Sequence, residues 1–257
     1  MEREGTSKAE FLRRARRVAE NWHDLALAYA GLKRGPFVIR LRNGTRIRIR
    51  NNGNDIQVFA TVWLLDDYGR DGFVPDGGTV VDVGAHIGMY SLYAAAASDA
   101  RILCYEPVAA NHALLEENIR LNSVDARAFR RAVCGEEGPG RIFLSPDVPE
   151  GHSIHVRSGP GEEEILCTTI DRIIEENGLR EVSVLKLDCE GSEYDILERA
   201  SDSALSRIRR ICMEYHIFDD RCPARLEGVR RRLRDAGFEL EDGPRDPGRG
   251  MLFAARL

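Results

Sequence analysis

The amino-acid sequence predicts an α/β fold in which a mostly parallel, seven-stranded sheet carries helices on both faces. From Gly78 onward, short apolar runs alternate with helical patterns, as is typical of a doubly wound parallel sheet. A glycine-containing turn directly follows the first run, at the place where such folds bring backbone close to a ligand. The chain has 257 residues, 43% hydrophobic and 31% charged, which is sufficient for one substantial core. We therefore expect one globular domain with extensions.

Seven segments have the composition and spacing of strands, and the last two are expected to close the sheet as an antiparallel pair. They are Thr79–Val83, Arg101–Tyr105, Ala128–Val133, Val182–Leu187, Ile208–Glu214, Phe238–Glu241 and Met251–Ala255. Helices are predicted between them at Asn111–Leu121, Thr169–Asn177 and Ala224–Ala236. A Gly/Pro-rich stretch before Cys167, with turn signals at 145–147 and 159–161, predicts loops and short strands that cover the site.

Residues 1–77 are predicted to form an extension packed on a core domain of residues 78–257. Ala9–Leu32 has the apolar spacing of a helix. Phe37–Arg50 alternates around Asn43-Gly44, which predicts a hairpin with a type I′ turn. Its inward residues would be Ile39, Leu41, Ile47 and Ile49, and its outward residues Arg40, Arg42, Arg46, Arg48 and Arg50. The arginine face is either a solvated surface or a landing surface for an anionic substrate or carrier protein.

Charge and cysteine usage limit the class of protein. A net charge of −5 and an isoelectric point near 5.8 argue against a nucleic-acid-binding protein and favour a small or protein-bound substrate. No secretory signal or membrane-spanning run is visible, so we expect a cytoplasmic protein with no membrane partner. The six cysteines lack zinc-ligand spacing and are expected to be reduced structural thiols. The helix and hairpin of the extension leave a homodimer open.

The segment VVDVGAHIGMYS places Asp82, Gly84, His86 and Gly88 at two-residue steps after the first strand. Glycines here let the backbone approach a ligand, and the following helix presents its free N–H groups to it. A dinucleotide fingerprint would need a third glycine where Met89 stands, so the spacing disfavours a nicotinamide or flavin cofactor. The loop is similar to that of class I methyltransferases. That similarity implies that Asp82 helps to bind the methionine moiety of S-adenosylmethionine.

The second strand ends in CYEP, which places Glu106 and Pro107 at the carboxyl edge of the sheet. A carboxylate there can accept both ribose hydroxyls of an adenosyl group. The alternative for Glu106 is a helix-capping or surface carboxylate. The polar segment Asn52–Phe59, just before the core, is also expected to contact the cofactor.

The fourth strand runs into the acidic sequence LKLDCEGSEYDIL. Lys186 and Asp188 share one strand face, and Glu190 follows in the turn. Because ligands of open α/β sheets bind at the carboxyl ends of the strands, we expect Asp188 and Glu190 beside the cofactor. A lysine in an apolar strand needs a carboxylate partner, and Asp188 is the natural candidate for Lys186.

The fifth strand ends in MEYHIF, where Glu214 and His216 share a face that points toward the same crevice. With an unperturbed pKa of ~6.5, His216 would suit proton removal from a hydroxyl at neutral pH, with Glu214 beside it. Two alternatives stay open for His216. It packs as an ordinary buried histidine, or it joins Asp188, Glu190 and Glu214 in holding a divalent ion, although no compact ligand motif fixes such a metal site.

Together, DVGAHIGMYS, YEP, KLDCEGSEYDIL and MEYH strongly resemble the FkbM family of methyltransferases over Thr79 to His216. The resemblance implies the Rossmann-like class I methyltransferase fold, S-adenosylmethionine as cofactor, and methyl transfer to a hydroxyl of a sugar, polyketide or other natural-product intermediate. His86 stands where the family is expected to have Asn, and Cys189 where Val is usual.

Other functions remain as alternatives. They are an N-methyltransferase acting on a small molecule or peptide, and a noncatalytic cofactor-binding module. A nucleic-acid base methyltransferase would carry an Asn/Asp-Pro-Pro-aromatic signature after the fourth strand, where this chain has Asp-Cys-Glu-Gly. The family resemblance therefore favours an O-methyltransferase, and the catalytic candidates are Lys186, Asp188, Glu214 and His216.

Overall fold

The structure is a computed structural model that describes residues 7–69, 73, 76–144 and 161–256. In chain order its elements are α1 (Lys8–Val18), α2 (Trp22–Tyr29), β1 (Phe37–Arg40), β2 (Arg46–Ile49), α3 (Gly53–Phe59), a π-helical turn (Ala60–Leu64), β3 (Thr79–Val83), α4 (Met89–Ala97), β4 (Arg101–Tyr105), α5 (Ala109–Asn122), β5 (Ala126–Phe129), β6 (Ala132–Val133), β7 (Gly138–Leu144), β8 (Gly161–Thr168), α6 (Ile170–Glu176), β9 (Val184–Leu187), α7 (Glu193–Arg199), α8 (Asp202–Ser206), β10 (Arg210–His216), α9 (Cys222–Asp235), β11 (Glu239–Asp246) and β12 (Arg249–Ala255).

The main sheet has seven strands in the order β11-β12-β10-β9-β3-β4-β5. The neighbours from β10 to β5 pair in parallel, whereas β12 is antiparallel to both β10 and β11. The predicted mostly parallel sheet with a closing antiparallel pair is confirmed. The chain leaves β3 toward β4 and β5 and later returns to β9 on the other side of β3. This reversal creates a crevice at the carboxyl ends of β3 and β9.

Helices cover both faces of this sheet, as predicted. Alternate residues of β3 pack into different cores, with Val80 in one and Val81 in the other. The first core contains residues of α4 and α5 together with those of the extension, including Phe11 and Ile39. The second contains apolar residues of α6, α7, α8 and α9. The extension and the sheet thus share one hydrophobic core.

The predicted single helix over Ala9–Leu32 is wrong, because two helices, α1 and α2, occupy this region. Between them Ala19 forms an isolated bridge with Leu41. The Asn21 side chain donates to Val38 O at 2.9 Å and accepts from Arg40 N at 2.8 Å. Glu20 N donates to Arg40 O at 2.8 Å, and Val18 O accepts from Arg42 N at 3.0 Å. These backbone groups pair with the hairpin, so the helix does not continue through them.

The hairpin is confirmed, but its predicted type I′ turn is wrong. Leu41 N donates to Thr45 O and Gly44 N to Leu41 O, which leaves a three-residue loop. Only Gly44 has a positive φ, +90°, while Asn43 does not. This is the geometry of a type I turn followed by one left-handed residue.

The faces of the hairpin follow the predicted alternation with one exception. The four inward residues, Ile39, Leu41, Ile47 and Ile49, are buried. On the other face Arg40, Arg42 and Arg46 are exposed, and Arg48 forms an ion pair with Glu117. Arg50 instead turns into the interior beside Asp55. A landing surface for an acidic partner on the exposed arginines stays a prediction, as does a homodimer.

The predicted third strand, Ala128–Val133, is divided between two sheets. Its first part belongs to β5 in the main sheet, whereas β6 pairs with β8 in a separate sheet of order β6-β8-β7. The predicted covering loops at 145–147 and 159–160 lie outside the described residues. The other predicted helices and strands are present, with ends moved by a few residues.

All six cysteines lie in the described ranges and are free thiols. In the part of the chain that is described, no helix has the length and apolar character needed to cross a membrane.

Candidate active site

A cavity lies at the carboxyl ends of β3, β4, β9 and β10. Each strand supplies a wall residue at or near its end: Gly84, Glu106, Asp188 and Glu214. The extension supplies a further wall through α3 and the segment after it. Its lining residues there are Asn54, Gln57, Val58, Thr61, Val62 and Tyr68. Three residues of the segment Asn52–Phe59 thus line the cavity, and its contact with the cofactor stays a prediction.

Gly84 lets the loops after β3 and β9 come into close contact. Its φ is +71°, and a Cβ atom built on it would lie 1.8 Å from Asp188 O. No side chain fits in this position, so the motif requires glycine here. Gly88, with a φ of +92°, directly precedes α4, and it is not among the described residues that line the cavity.

Lys186 binds the backbone at the end of β3, where the loop containing Gly84 begins. Its Nζ donates to the carbonyl oxygens of Val83 at 3.2 Å and Gly84 at 2.8 Å. Nζ also lies 3.1 Å from Asp82 Oδ1 and 3.6 Å from Asp188 Oδ2. Burial acts to lower the pKa of Lys186, but the two carboxylates outweigh it and raise the pKa above its usual value. The expected pairing with Asp188 is present, although Asp82 is the nearer partner.

Asp82 is fully buried and is not among the described lining residues. Its Oδ2 accepts a hydrogen bond from Ser91 Oγ at 2.6 Å, while Oδ1 faces Lys186. The structure thus places Asp82 behind the cavity wall, where it supports Lys186, and not at the surface where a cofactor would touch it.

Glu106 lies in the wall with both carboxylate oxygens held by backbone. Oε2 accepts from His86 N at 2.9 Å and Oε1 from Val108 N at 2.9 Å. Burial raises the pKa of Glu106 to about 7, against the opposing effect of these two hydrogen bonds. Oε1 also accepts from Asn111 Nδ2 at 3.4 Å, whereas Oε2 can still accept another hydrogen bond, and Pro107 beside Glu106 also lines the cavity.

His86, in the loop after β3, contacts residues of the extension. It is one of the few non-glycine residues with a positive φ, +50°. Its Nε2 lies 2.9 Å from Arg50 Nη2 and 3.7 Å from Asp55 Oδ1. Burial lowers the pKa of His86 to about 4, with Asp55 opposing this shift and Arg50 adding to it. The ring is therefore neutral at pH 7.

Asp188 and Glu214 meet at the polar end of the cavity. The Tyr68 hydroxyl lies 3.2 Å from Asp188 Oδ2 and 3.3 Å from Glu214 Oε2. Burial acts to raise the pKa of Asp188, but the charges of Lys186 and His216 and the Tyr68 hydrogen bond outweigh it and lower the pKa. Burial and the charge of Asp188 raise the pKa of Glu214. Asp188 is thus the more acidic of the two carboxyl groups.

His216 does not have the unperturbed pKa expected from the sequence. Its Nδ1 lies 3.1 Å from Glu193 Oε1, and its Nε2 lies 3.7 Å from Glu190 Oε2. Burial acts to lower the pKa of His216, but the hydrogen bond and charge of Glu193 outweigh it and raise the pKa to about 10. The ring is protonated at neutral pH and is not among the described residues that line the cavity. A protonated ring has no free nitrogen lone pair to accept a proton, which argues against His216 as the general base, and that role stays a prediction.

Glu190 lies in the cavity wall at a positive φ of +55°. Burial raises its pKa to about 8. Ligand atoms of Asp188, Glu190 and His216 all lie within 4.8 Å of one another, a grouping that could hold a metal ion. Glu214, expected in such a set, instead faces Tyr68 and pairs with Arg249 at 3.3 Å. A protonated His216 has no lone pair to offer a metal until it loses its proton.

Several site residues carry no local signal in the sequence. They are Arg50, Tyr68 and Arg249, whereas Asn54 and Asp55 lie in the segment Asn52–Phe59 that was expected to contact the cofactor. Tyr68 and Asp188, for example, are far apart in the chain and meet only in the folded protein. The acidic run after the fourth strand does contain Glu193, but only its contact with His216 reveals its effect on that ring.

The cavity suits a polar, adenosyl-bearing ligand. Buried wall atoms that have no hydrogen-bond partner in the described part of the chain include Nδ1 of His86 and the hydroxyl groups of Tyr90 and Tyr105. Buried polar groups normally have partners, so these atoms indicate where a ligand would bind. Glu106 adds acceptor capacity for hydroxyl groups at the same wall.

Comparisons with known proteins identify the family of the chain. The family model for the methyltransferase FkbM domain matches residues 82–240. The 31-O-demethyl-FK506 methyltransferase FkbM of Streptomyces tacrolimicus is 26% identical over 234 residues, covering 79% of this chain and 88% of that protein. The AMB antimetabolite synthetase AmbE of Pseudomonas aeruginosa is 28% identical over 242 residues, covering 79% of this chain. The chain spans only 11% of the length of that synthetase.

A solved structure of precorrin-6y C5,15-methyltransferase from Geobacter metallireducens aligns with a TM-score of 0.46 at 11% identity, covering 78% of this chain and 88% of that one. The family model covers more than half of the chain and includes the loop at Gly84, Glu106 and the acidic segment from Lys186 to His216. The resemblance seen in the sequence is confirmed: the chain belongs to the FkbM family of S-adenosylmethionine-dependent methyltransferases.

Proposed function

We propose that the chain transfers a methyl group from S-adenosylmethionine to a hydroxyl oxygen of a small-molecule or carrier-bound natural-product or sugar intermediate. The observation that carries this proposal is the Asp188 carboxylate, which lies in the same cavity as Gly84 and Glu106 and has a lowered pKa. A neutral hydroxyl must lose its proton as its oxygen attacks, and an ionised carboxylate can take that proton. The name of the Streptomyces relative, a methyltransferase of an O-demethyl compound, also supports oxygen as the acceptor.

The residues proposed to contact the cofactor are Gly84, His86, Glu106, Pro107, Asp188 and Glu190, all of which line the cavity. Asp82 and Gly88 would act from behind this wall, by supporting Lys186 and by starting α4. The cofactor, when bound, supplies an electrophilic methyl group. The protein therefore needs to orient the acceptor and remove its proton, without a covalent enzyme intermediate.

Asp188 is well prepared to accept a proton. Tyr68 and Lys186 both contact its Oδ2, and these contacts favour the ionised form. Its Oδ1 accepts no hydrogen bond from the described part of the chain. We assign Oδ1 as the proton acceptor, Lys186 and Tyr68 as the groups that position Asp188, and Glu214 as a neighbour that binds Tyr68. His216 is assigned to hold Glu190 and Glu193 in place.

We also infer that residues 78–257 form the catalytic domain and that residues 1–77 complete its cavity. Asn54, Val58 and Tyr68 of the extension line the cavity together with Glu106 and Asp188 of the core. Acceptor selection would then depend on the extension as well as on the sheet.

Incubation with methyl-labelled S-adenosylmethionine and a panel of alcohols, amines and carrier-bound hydroxyl compounds tests the proposal. We expect the label on oxygen, identified by mass spectrometry of the product. Label on nitrogen would mean that the protein is an N-methyltransferase and would contradict the assignment of oxygen as the acceptor. Tight binding of S-adenosylmethionine without turnover on any acceptor class would favour a noncatalytic module, and binding of NAD without S-adenosylmethionine would contradict the proposal.

A further inference from the structure

The protonation state of the His86 ring follows from its neighbours. Nε2 lies 2.9 Å from Arg50 Nη2. An arginine guanidinium has N–H donors and no acceptor, so Nε2 must be the acceptor in this contact. A ring that accepts at Nε2 is neutral and carries its proton on Nδ1. Burial, together with Arg50 and against Asp55, lowers the pKa of His86 to about 4, in agreement with a neutral ring.

Arg50 is fixed in the position that imposes this tautomer. Its Nε and Nη2 donate to Asp55 Oδ2 and Oδ1 at 3.1 and 2.6 Å, and its Nη1 donates to Asn111 Oδ1 at 2.7 Å. Asp55 is fully buried and also accepts from Arg50 N at 2.7 Å. Asp55 Oδ1 is itself 3.7 Å from His86 Nε2. Without the guanidinium, this carboxylate would attract a proton to Nε2.

The Nδ1–H group is left as a buried donor at the cavity wall. It has no hydrogen-bond partner among the described residues. The backbone N–H of His86 donates to Glu106 Oε2, and Asn111 Nδ2 lies 3.4 Å from Glu106 Oε1. All three residues line the cavity. The Nδ1–H donor thus belongs to a residue whose backbone binds the Glu106 carboxylate, and both residues line the same cavity.

We infer that Arg50 locks His86 as the Nδ1–H tautomer, and that this N–H donates to a ribose hydroxyl oxygen of the cofactor whose own proton is donated to Glu106. The inference rests on the proposed function, because it takes an adenosyl group as the ligand. A hydroxyl is donor and acceptor at once, so it satisfies both wall groups, whereas a deoxyribose carbon satisfies neither. His86 is then a specificity-determining residue for the cofactor, and Arg50 is a positioning residue that acts through it.

Calorimetry with S-adenosylhomocysteine tests the hydrogen bond. His86→Asn and His86→Gly both tolerate the left-handed backbone, but only Asn retains a side-chain N–H donor. We expect affinity close to wild type for His86→Asn and about tenfold weaker for His86→Gly, the usual effect of one lost hydrogen bond. The 2′-deoxy and 3′-deoxy forms of the ligand complete a double-mutant cycle. One of the two deoxy ligands should bind the wild-type protein more weakly than S-adenosylhomocysteine does. The affinity for that deoxy ligand should also fall less when His86 is replaced by Gly.

Nitrogen-15 NMR of histidine-labelled protein without ligand tests the tautomer separately. In wild type the His86 signal should show a protonated Nδ1 and a bare Nε2. Arg50→Met removes the donor and keeps an apolar stem, so the proton should move to Nε2 and the pKa of His86 should rise, because Asp55 is no longer opposed. Arg46→Met, an exposed arginine on the same hairpin, is the matched control and should leave the signal unchanged.

The outcomes separate this inference from the proposed function. Failure of wild type to bind S-adenosylhomocysteine contradicts the cofactor assignment itself. The ribose contact is overturned if His86→Gly binds S-adenosylhomocysteine with the wild-type affinity. It is also overturned if removal of the ribose hydroxyl weakens binding equally in the wild-type protein and in His86→Gly. A protonated Nε2 in the wild-type ring overturns the tautomer lock even if every variant misfolds.

Discussion

Asp188 and His216 come from neighbouring strands of one sheet, yet contacts with other residues decide what each side chain can do. Asp188 keeps a lowered pKa because Lys186 and Tyr68 favour its charge. His216 becomes a cation because Glu193 accepts its Nδ1–H at 3.1 Å. A sequence pattern identifies both residues as polar and facing the crevice, but it contains no information on these neighbours. The proton acceptor is therefore assigned to the carboxylate and not to the imidazole.

Asp188→Asn should reduce turnover by about 10²-fold to 10⁴-fold, the usual contribution of a positioned general base. The dissociation constant for S-adenosylhomocysteine should change far less, because the side chain keeps its size and its contact with Tyr68. Turnover is measured with the labelled methyl donor and affinity by calorimetry. The exposed Asp99→Asn is the control. Wild-type turnover in Asp188→Asn would exclude Asp188 as the base.

Gly84→Ala and Gly35→Ala form a matched pair for the contact between the loops. Their φ values, +71° and +74°, are nearly equal, but only Gly84 would place a Cβ against Asp188 O. Gly35→Ala should lower the free energy of unfolding by about 1 kcal/mol from backbone strain alone. Gly84→Ala should lower it by about 3 kcal/mol or more, since the loops must also move apart. Urea denaturation measures both, and equal losses would argue against the close approach.

The charged His216–Glu193 pair makes a pH-dependent contribution to stability. The pKa of His216 is raised to about 10 in the folded protein, from ~6.5 in the unfolded chain. The stabilisation is therefore complete below the unfolded pKa and is lost as the pH rises toward the folded one. His216→Leu should lower the free energy of unfolding by about 3 kcal/mol at pH 6. The difference from wild type should shrink toward pH 10, and a difference independent of pH would refute the charged pair.

Among the elements, the contact between the hairpin and α5 shows how side chains complete a sheet edge. Asn118 accepts from Arg48 N at 2.7 Å and donates to Arg48 O at 3.1 Å, while Asn122 does the same with Arg46 at 2.8 and 2.7 Å. Two asparagines one helical turn apart thus bind alternate residues of β2. This contact protects an otherwise open strand edge and fixes the extension to the core.

Asn118→Ala should be much more destabilising than Asn122→Ala, although both remove the same kind of contact. Asn118 is fully buried and also donates to Ile87 O at 2.8 Å, so its loss leaves buried backbone groups without partners. We expect a loss of about 3 kcal/mol for Asn118→Ala and about 1 kcal/mol for Asn122→Ala, whose site is partly open to water. Thermal and urea unfolding measure the two losses, and similar values would mean that burial does not decide them.

At the scale of the whole molecule, the extension and the sheet act as one unit. Ile39 and Ile47 share a hydrophobic core with Ile87 and Leu115. Tyr68, from the end of the extension, binds Asp188 of the core. The cavity is therefore complete only when both parts are folded together.

Ile47→Ala should shift the unfolding of the entire chain in one step. Both tryptophans, Trp22 and Trp63, lie in the extension, so their fluorescence reports on that part, whereas far-UV circular dichroism reports on the whole chain. We expect the two transitions to coincide, with the free energy of unfolding lowered by about 3 kcal/mol by either measurement. Arg46→Ala, on the exposed face, is the control. A fluorescence transition that shifts alone would show that the extension unfolds independently.

The sequence by itself determined the features that depend on local pattern. Apolar periodicity predicted most strands and helices, and the spacing of Gly84, Glu106 and Asp188 predicted which strand ends meet at the site. These features are readable because period and turn chemistry act over a few residues. The family follows from the same motifs, as the match over residues 82–240 confirms.

Only the tertiary structure decided the features that depend on distant neighbours. It divided the N-terminal helix, set the hairpin loop at three residues, and moved Asp82 behind the wall. It also placed Glu193 where it favours the protonated ring of His216, and Arg50 where it favours the Nδ1–H tautomer of His86. The physical reason is that hydrogen-bond partners and burial set a side chain's charge and direction, and both come from residues far away in the sequence.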